Sequence, residues 1–370
     1  MSKGTRAGSS VMRAKLLPAA QGYRMPAEWE PHESTWLAWP HFRGDWPGKF
    51  EPIPWVYAEI VRNLARHERV DLIVNDASSE RRARAMLEKA GALSENVCFH
   101  HWRTDRVWTR DSGCIFLTPT ADHDESGLLA LHFQFNAWAK YPNYAFDEKN
   151  GSLMAKAAGA RVVQPVSKKH RVVLEGGSID VNGCGTLITT EECLLSTIQQ
   201  RNPSMDRAAH EQLFVDYFGA QSVIWLDSGI AGDDTHGHVD DITRFVAPST
   251  VITMIDQNEL SENYAELHAN LGRLKNARTA EGQKLDIVEI PMPRPIVFEG
   301  RQLPASYANF YIANGVVLVP VFNDPNDRIA LDTLAELFPT REIVPIYSGD
   351  LIWGFGALHC MTQQQPATGG

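Results

Sequence analysis

A chain of 370 residues, 44% hydrophobic and 22% charged, is long enough to bury a large core and has an ordinary globular composition. Its formal charge of −10 argues against broad binding to nucleic acid or anionic membranes and suits a small cationic partner. The longest apolar run, "GVVLVPVF", is strand-sized and too short to span a membrane.

In chain order, residues 1–24 are basic, serine-containing and without an apolar signal core, and they read as a flexible tail. Apolar residues at three- and four-residue spacing predict helices over 56–67, 77–92, 203–220, 260–276 and 327–338, the second opening on a serine cap. Strand-like runs such as "VDLIVN", "SVIWLD" and "EIVPIYS" lie between them. Hairpins with Gly, Pro or Asn in the turn recur over 178–190, 241–255 and 307–322, with a looser one over 112–135.

The polar residues that precede these hairpins are evenly spaced. Asp111 to Glu175 is 64 positions, Glu175 to His238 is 63, and His238 to Ser306 is 68. An internal repeat of hairpin, helix and strand predicts a single domain over 25–366. Its expected form is an α/β propeller of five pseudosymmetric ββαβ units around a central pocket. Asp111, Glu175, His238 and Cys360 then stand at corresponding strand starts and converge on the axis.

"GDDTHGHVDD" (232–241) leaves two readings open. His236, His238 and Asp240 share one side of a strand, as a zinc site needs, but a third and fourth ligand downstream are lacking. Alternatively, one histidine does acid/base work among carboxylates that grip a cation. "VWTRDSG" (107–113) offers Trp108 as an indole wall beside Asp111, or a plain turn with an Arg110–Asp111 pair. "LEGGS" holds Glu175 before two glycines that allow close backbone approach. Cys360 follows a glycine-rich approach beside His359, whereas Cys98, Cys114, Cys184 and Cys193 read as core. An odd number of cysteines without C-x-x-C pairs fits a reduced, cytoplasmic protein.

The blocks "MPAEWEPHESTWLAWPH", "WTRDSG", "FNAW", "LEGGSIDVNGCGTLITTEECLL", "DTHGHVDDITRFV", "PASYANFYIANGVVLVPVF" and "LHCMTQQQP" together resemble the agmatine deiminase family and its bacterial peptidyl-arginine deiminase relatives, pentein-fold enzymes. The resemblance runs from about residue 25 to 366 and implies hydrolysis of a guanidinium to a ureido group and ammonia, with no metal or cofactor. By that resemblance Cys360 is the nucleophile and His238 the general acid and base. Asp111 and Asp240 bind the guanidinium, Glu175 orients the histidine, and Trp108 lies beside the substrate. Asp234 stands where relatives carry an acid near the substrate's distal amine. Agmatine leads as substrate, with free or peptidyl arginine next; a non-catalytic guanidinium-binding ring and a metal-dependent hydrolase are the readings from other classes. The partner implied is a small cationic guanidino compound, with no nucleic acid or membrane, and a homo-oligomer is left open. Three positions depart from the family pattern: Ala357 replaces an asparagine, "FNAWAKY" replaces "FNAWGG", and His236 replaces an aspartate.

Overall fold

The computed structural model describes residues 17–121 and 127–368. The fold is α/β, with five mixed sheets of three or four strands and two short hairpins among the described residues. Three of the sheets repeat one pattern. Asp180–Val181 pairs antiparallel with Thr186–Thr190, which pairs parallel with Ser222–Leu226. Thr243–Ala247, Thr250–Ile255 and Asp286–Pro291 do the same, as do Tyr311–Ala313, Val316–Val321 and Glu342–Tyr347. A hairpin supplies each antiparallel pair, and the parallel partner requires a crossover, which the helices Arg207–Phe218, Tyr264–Asn276 and Asn326–Leu337 provide.

The other two sheets vary the pattern. Ile115–Pro119 and Leu129–Leu131 form the hairpin of the fourth, with Arg161–Val163 parallel to the latter. In the fifth, His32–Ala38 is followed by two parallel partners, Arg69–Val74 and Val97–His101, and its antiparallel neighbour is the far segment Gln363–Pro366. Continuous β-branched and aliphatic runs fill these strands, so both faces are covered and most strand residues are buried.

Several expectations change in detail. The helix expected over 77–92 runs Ala77–Lys89 and is capped by Asp76, whose carboxylate accepts from the Ser79 N–H, so the serine is not the cap. Asn150–Ala157 is a further helix, hidden in the sequence by its glycine and small residues. The expected tail over 1–24 is shorter: Tyr23–Arg24 pairs with Ile115–Pro119 and Tyr23 is buried. Residues 1–16 of it lie outside the described residues, as do residues 122–126 of the loose hairpin. Cys184 is exposed and Cys98 only half-buried, against the core reading; Cys184 sits in a hairpin turn between Gly183 and Gly185, both at positive φ. No helix among the described residues is long and apolar enough to cross a membrane.

Candidate active site

One helical turn precedes one strand of an antiparallel pair in each of the five sheets, and these turns carry the candidate residues. Thr109–Ser112 holds Asp111. Glu175 caps the turn Gly176–Ser178, His238 caps Val239–Asp241, Tyr307–Asn309 holds Asn309, and Leu358–Met361 holds Cys360. A one-turn helix leaves its side chains projecting beyond the strand end, so five such turns crowd their polar residues together.

The crowding is tightest around Gly177. A methyl group there would lie 2.6 Å from His238 Nδ1, 2.9 Å from Asp240 Oδ2 and 3.1 Å from Asp111 Oδ1. Only hydrogen fits, and the Gly177 N–H donates to Asp111 Oδ1 (3.0 Å). Asp111 Oδ2 accepts from the Trp138 indole (2.8 Å). The Cys360 thiol lies 3.9 Å from Asp240 Oδ2, and His238 Nδ1 lies 4.0 Å from the other oxygen of the same carboxylate. Thiol and imidazole therefore approach one aspartate from two sides. His238 also stands 3.9 Å from Asp111 Oδ2 and 3.8 Å from Glu175 Oε2.

Charge at this centre is set by burial and by neighbours. Burial pushes the Cys360 thiol well above its ordinary range, and Asp240, Asp241 and Asp111 push it further, so the free site holds a neutral thiol. Burial opposes charge on His238, yet Asp111 and Glu175 outweigh it and the imidazole stays protonated well above its usual range. Burial raises the Asp111 carboxyl to about 6, with Asp240 and Glu175 adding to the rise. Glu175 is held at about 2 against its burial by Arg201 and His238.

Further residues complete the centre. Arg201 Nε donates to Glu175 Oε1 (3.1 Å). Asn309 Nδ2 donates to the Cys360 sulfur (3.1 Å) and to Asp241 Oδ1 (3.0 Å). His359 bridges Asp240 Oδ2 (2.6 Å) and Glu28 Oε2 (2.7 Å), and Glu28 is in turn paired with Arg244 (2.9 Å). None of Arg201, Asn309, Trp138, His359 and Glu28 is a candidate in the sequence reading. Asn309 and Trp138 stand inside quoted blocks, at the repeat's equivalent turn and in "FNAW"; nothing in "QQRNP" marks Arg201.

His236 stands apart from this cluster. The segment is a turn rather than a strand, His236 has φ 65°, and its ring faces Ser196 (3.2 Å) and Glu192 (3.4 Å). The shared side expected for His236, His238 and Asp240 does not exist. Among the described residues the group suited to a metal is instead Glu175, Cys193 and His238, whose donor atoms lie within 4.8 Å of one another. Arg201 against Glu175 sets a fixed positive charge beside it and opposes a cation there. Cys193 is thus buried at the back of the site rather than in a purely apolar core.

A cavity of about 160 Å³ leads to Cys360 and Asp111 between Trp108, Trp138, Trp353 and Phe355. Asp45, Arg106, Tyr141, Asp234 and Arg301 also line it. Aromatic walls over a carboxylate floor suit a flat cation.

Residues 24–366 match the model of the Porphyromonas-type peptidyl-arginine deiminases. The chain belongs to that family. It is 35% identical to an agmatine deiminase of Pseudomonas aeruginosa over 95% of this chain and 97% of that protein. Among solved structures it is similar to an agmatine deiminase of Enterococcus faecalis (TM-score 0.85, 28% identity, 95% and 97% of the two chains). It is likewise similar to a C. jejuni agmatine deiminase with substrate bound (TM-score 0.81, 30% identity, 94% and 97%). As a member of the peptidyl-arginine deiminase family, it is a hydrolase of C–N bonds in linear amidines.

Proposed function

We propose that this protein hydrolyses the guanidinium of agmatine to N-carbamoylputrescine and ammonia by covalent cysteine catalysis. The observation that carries the reading is the approach of the Cys360 thiol and the His238 imidazole to one Asp240 carboxylate, beside an aromatic-walled cavity that Cys360 and Asp111 line. Asp111 and Asp240 accept from the guanidinium nitrogens, a charge-assisted pairing that fixes the plane of the cation. Its positive charge offsets the burial and the carboxylates that raise the free thiol, and the thiol proton passes to solvent as the substrate binds.

The Cys360 sulfur then attacks the guanidinium carbon. The C–N bond to one terminal nitrogen breaks as the His238 imidazolium delivers its proton to the departing ammonia, leaving a thiouronium on the sulfur. Neutral His238 next takes a proton from water, whose oxygen attacks the same carbon. The C–S bond breaks, the remaining hydroxyl proton passes to the sulfur and restores the neutral thiol, and the ureido product leaves. Glu175, held by Arg201, orients His238 through this cycle. Trp108 packs beside the substrate, and Asp234 faces its tail. No metal or cofactor takes part in these steps.

We read residues 25–366 as one hydrolase domain, a fivefold pentein propeller of ββαβ units acting in the cytoplasm. The five mixed sheets with a polar turn before each first strand support that reading. Ammonia release from agmatine, arginine and an arginine-terminated peptide, measured side by side, tests the function. Agmatine turnover is expected, and Cys360→Ser abolishes it with the circular dichroism unchanged. Undiminished turnover by that variant removes the nucleophile and with it the mechanism.

A further inference from the structure

The carboxylate expected to meet a cationic substrate tail is already paired within the protein. Asp234, the acid expected to meet a distal amine, already has both oxygens occupied: Lys140 Nζ donates to Oδ1 (2.6 Å) and the Tyr141 hydroxyl to Oδ2 (2.6 Å). Arg301 lies 4.0 Å from Oδ1, with its guanidinium 4.4 Å over the Phe355 ring. Arg106 is paired with a second acid of the lining, Asp45. Three cations therefore face these two carboxylates, and burial lifts the Asp45 carboxyl to about 7, which removes part of its negative charge near neutral pH. Near Cys360 the cavity is lined by Asp111, with Asp240 and Glu175 buried beyond the lining. Lys140 reaches Asp234 from an unusual turn in which Ala137, Trp138 and Ala139 all have positive φ (50°, 58° and 53°), so the lysine is aimed by backbone as well as by charge.

We infer that Lys140 is a specificity-determining residue: by occupying Asp234 beside Arg301, it disfavours guanidino compounds with a tail ammonium and favours those with a tail carboxylate, the ω-guanidino acids. The inference rests on the guanidinium-hydrolase reading and refines its substrate class. Agmatine binds this pocket by displacing Lys140 from Asp234. A guanidino acid leaves that pair intact and gains Arg301 as a partner.

The test compares agmatine, 1-butylguanidine and 4-guanidinobutanoate as substrates of the wild type, Lys140→Ala and Lys140→Gln. Losing an ion pair that is partly exposed should lower the KM for agmatine about fivefold and raise that for 4-guanidinobutanoate by a similar factor. The KM for 1-butylguanidine should stay within about twofold, since a neutral tail does not feel the exchange. Both charged-tail effects should shrink as salt rises, which a merely structural role for Lys140 would not produce. An agmatine KM unchanged or raised in both variants overturns the inference. Absence of ammonia from all three compounds with the wild type sinks the hydrolase reading instead. Calorimetric binding of the same compounds to Cys360→Ser, with and without Lys140→Ala, then still decides the selectivity.

Discussion

Arg201 and Glu175 form an ion pair whose two side chains are both wholly buried, with 3.1 Å between Nε and Oε1. Removing the arginine strands a carboxylate in the interior, so Arg201→Met should destabilise the protein at neutral pH by about 3 kcal/mol or more. The pH dependence has a definite sign. Glu175 lies at about 2 in the folded protein, below its ordinary 4.5, so its stabilisation is complete above about pH 4.5 and fades as pH falls toward 2. Denaturant titrations at pH 7 and pH 4 should show the gap between wild type and Arg201→Met narrowing in acid. Adding Glu175→Gln to the variant should recover stability without recovering turnover; equal stability of wild type and Arg201→Met at pH 7 would contradict the pairing.

Asp111 must be ionised to hold a guanidinium. With its carboxyl at about 6, kcat/KM for the free enzyme should fall as pH drops through about 6. The Trp138 indole stabilises the ionised form, so Trp138→Phe should move this acid limb upward. A limb that stays in place in the variant would assign it to another group.

Gly177 touches three side chains of the centre at once. Gly177→Ala places a methyl where His238 Nδ1 would be 2.6 Å away, and the histidine or the aspartates must move. A displacement of that size should cut kcat on the order of 100-fold. Turnover near the wild-type level would mean the centre is looser than these distances.

Ala139 sits at φ 53°. Ala139→Gly relieves left-handed strain and should raise stability by up to about 1 kcal/mol, read as an increased thermal midpoint. A lowered midpoint would show that the turn is not strained.

Burial, with Asp240, Asp241 and Asp111 beside it, holds the Cys360 thiol well above its ordinary range. An alkylating agent bearing an amidinium should therefore modify it much faster at pH 7 than the isosteric neutral amide. Equal rates, followed by mass spectrometry of the Cys360 peptide, would indicate a thiolate already formed without a cation.

Much of this was legible before any coordinates. Even spacing of polar residues ahead of hairpins pointed to equivalent turns, and Asp111, Glu175, His238 and Cys360 do occupy them. Period-2 and period-3.6 patterns located most strands and five helices because burial imposes them. What escaped were residues defined only by three-dimensional neighbours. Arg201 follows a surface-like polar run and meets Glu175 only because its chain folds over it. His236 fell from the set because a left-handed residue beside Gly237, at φ 91°, reverses the strand parity on which the metal reading relied. Lys140 stands in the sequence only as part of "FNAWAKY"; its contact with Asp234, 94 positions away, exists only in three dimensions.

The pairing of His32–Ala38 with Gln363–Pro366 sets an order of events. Cys360 stands three positions before that late segment, so the nucleophile reaches its place only when contacts of very long sequence separation close. Such contacts form slowly, because the entropy of bringing remote segments together must be overcome first. Until Gln363–Pro366 is made, the early strand lacks its antiparallel neighbour. Placement of Cys360 thus depends on a pairing between the two ends of the described chain.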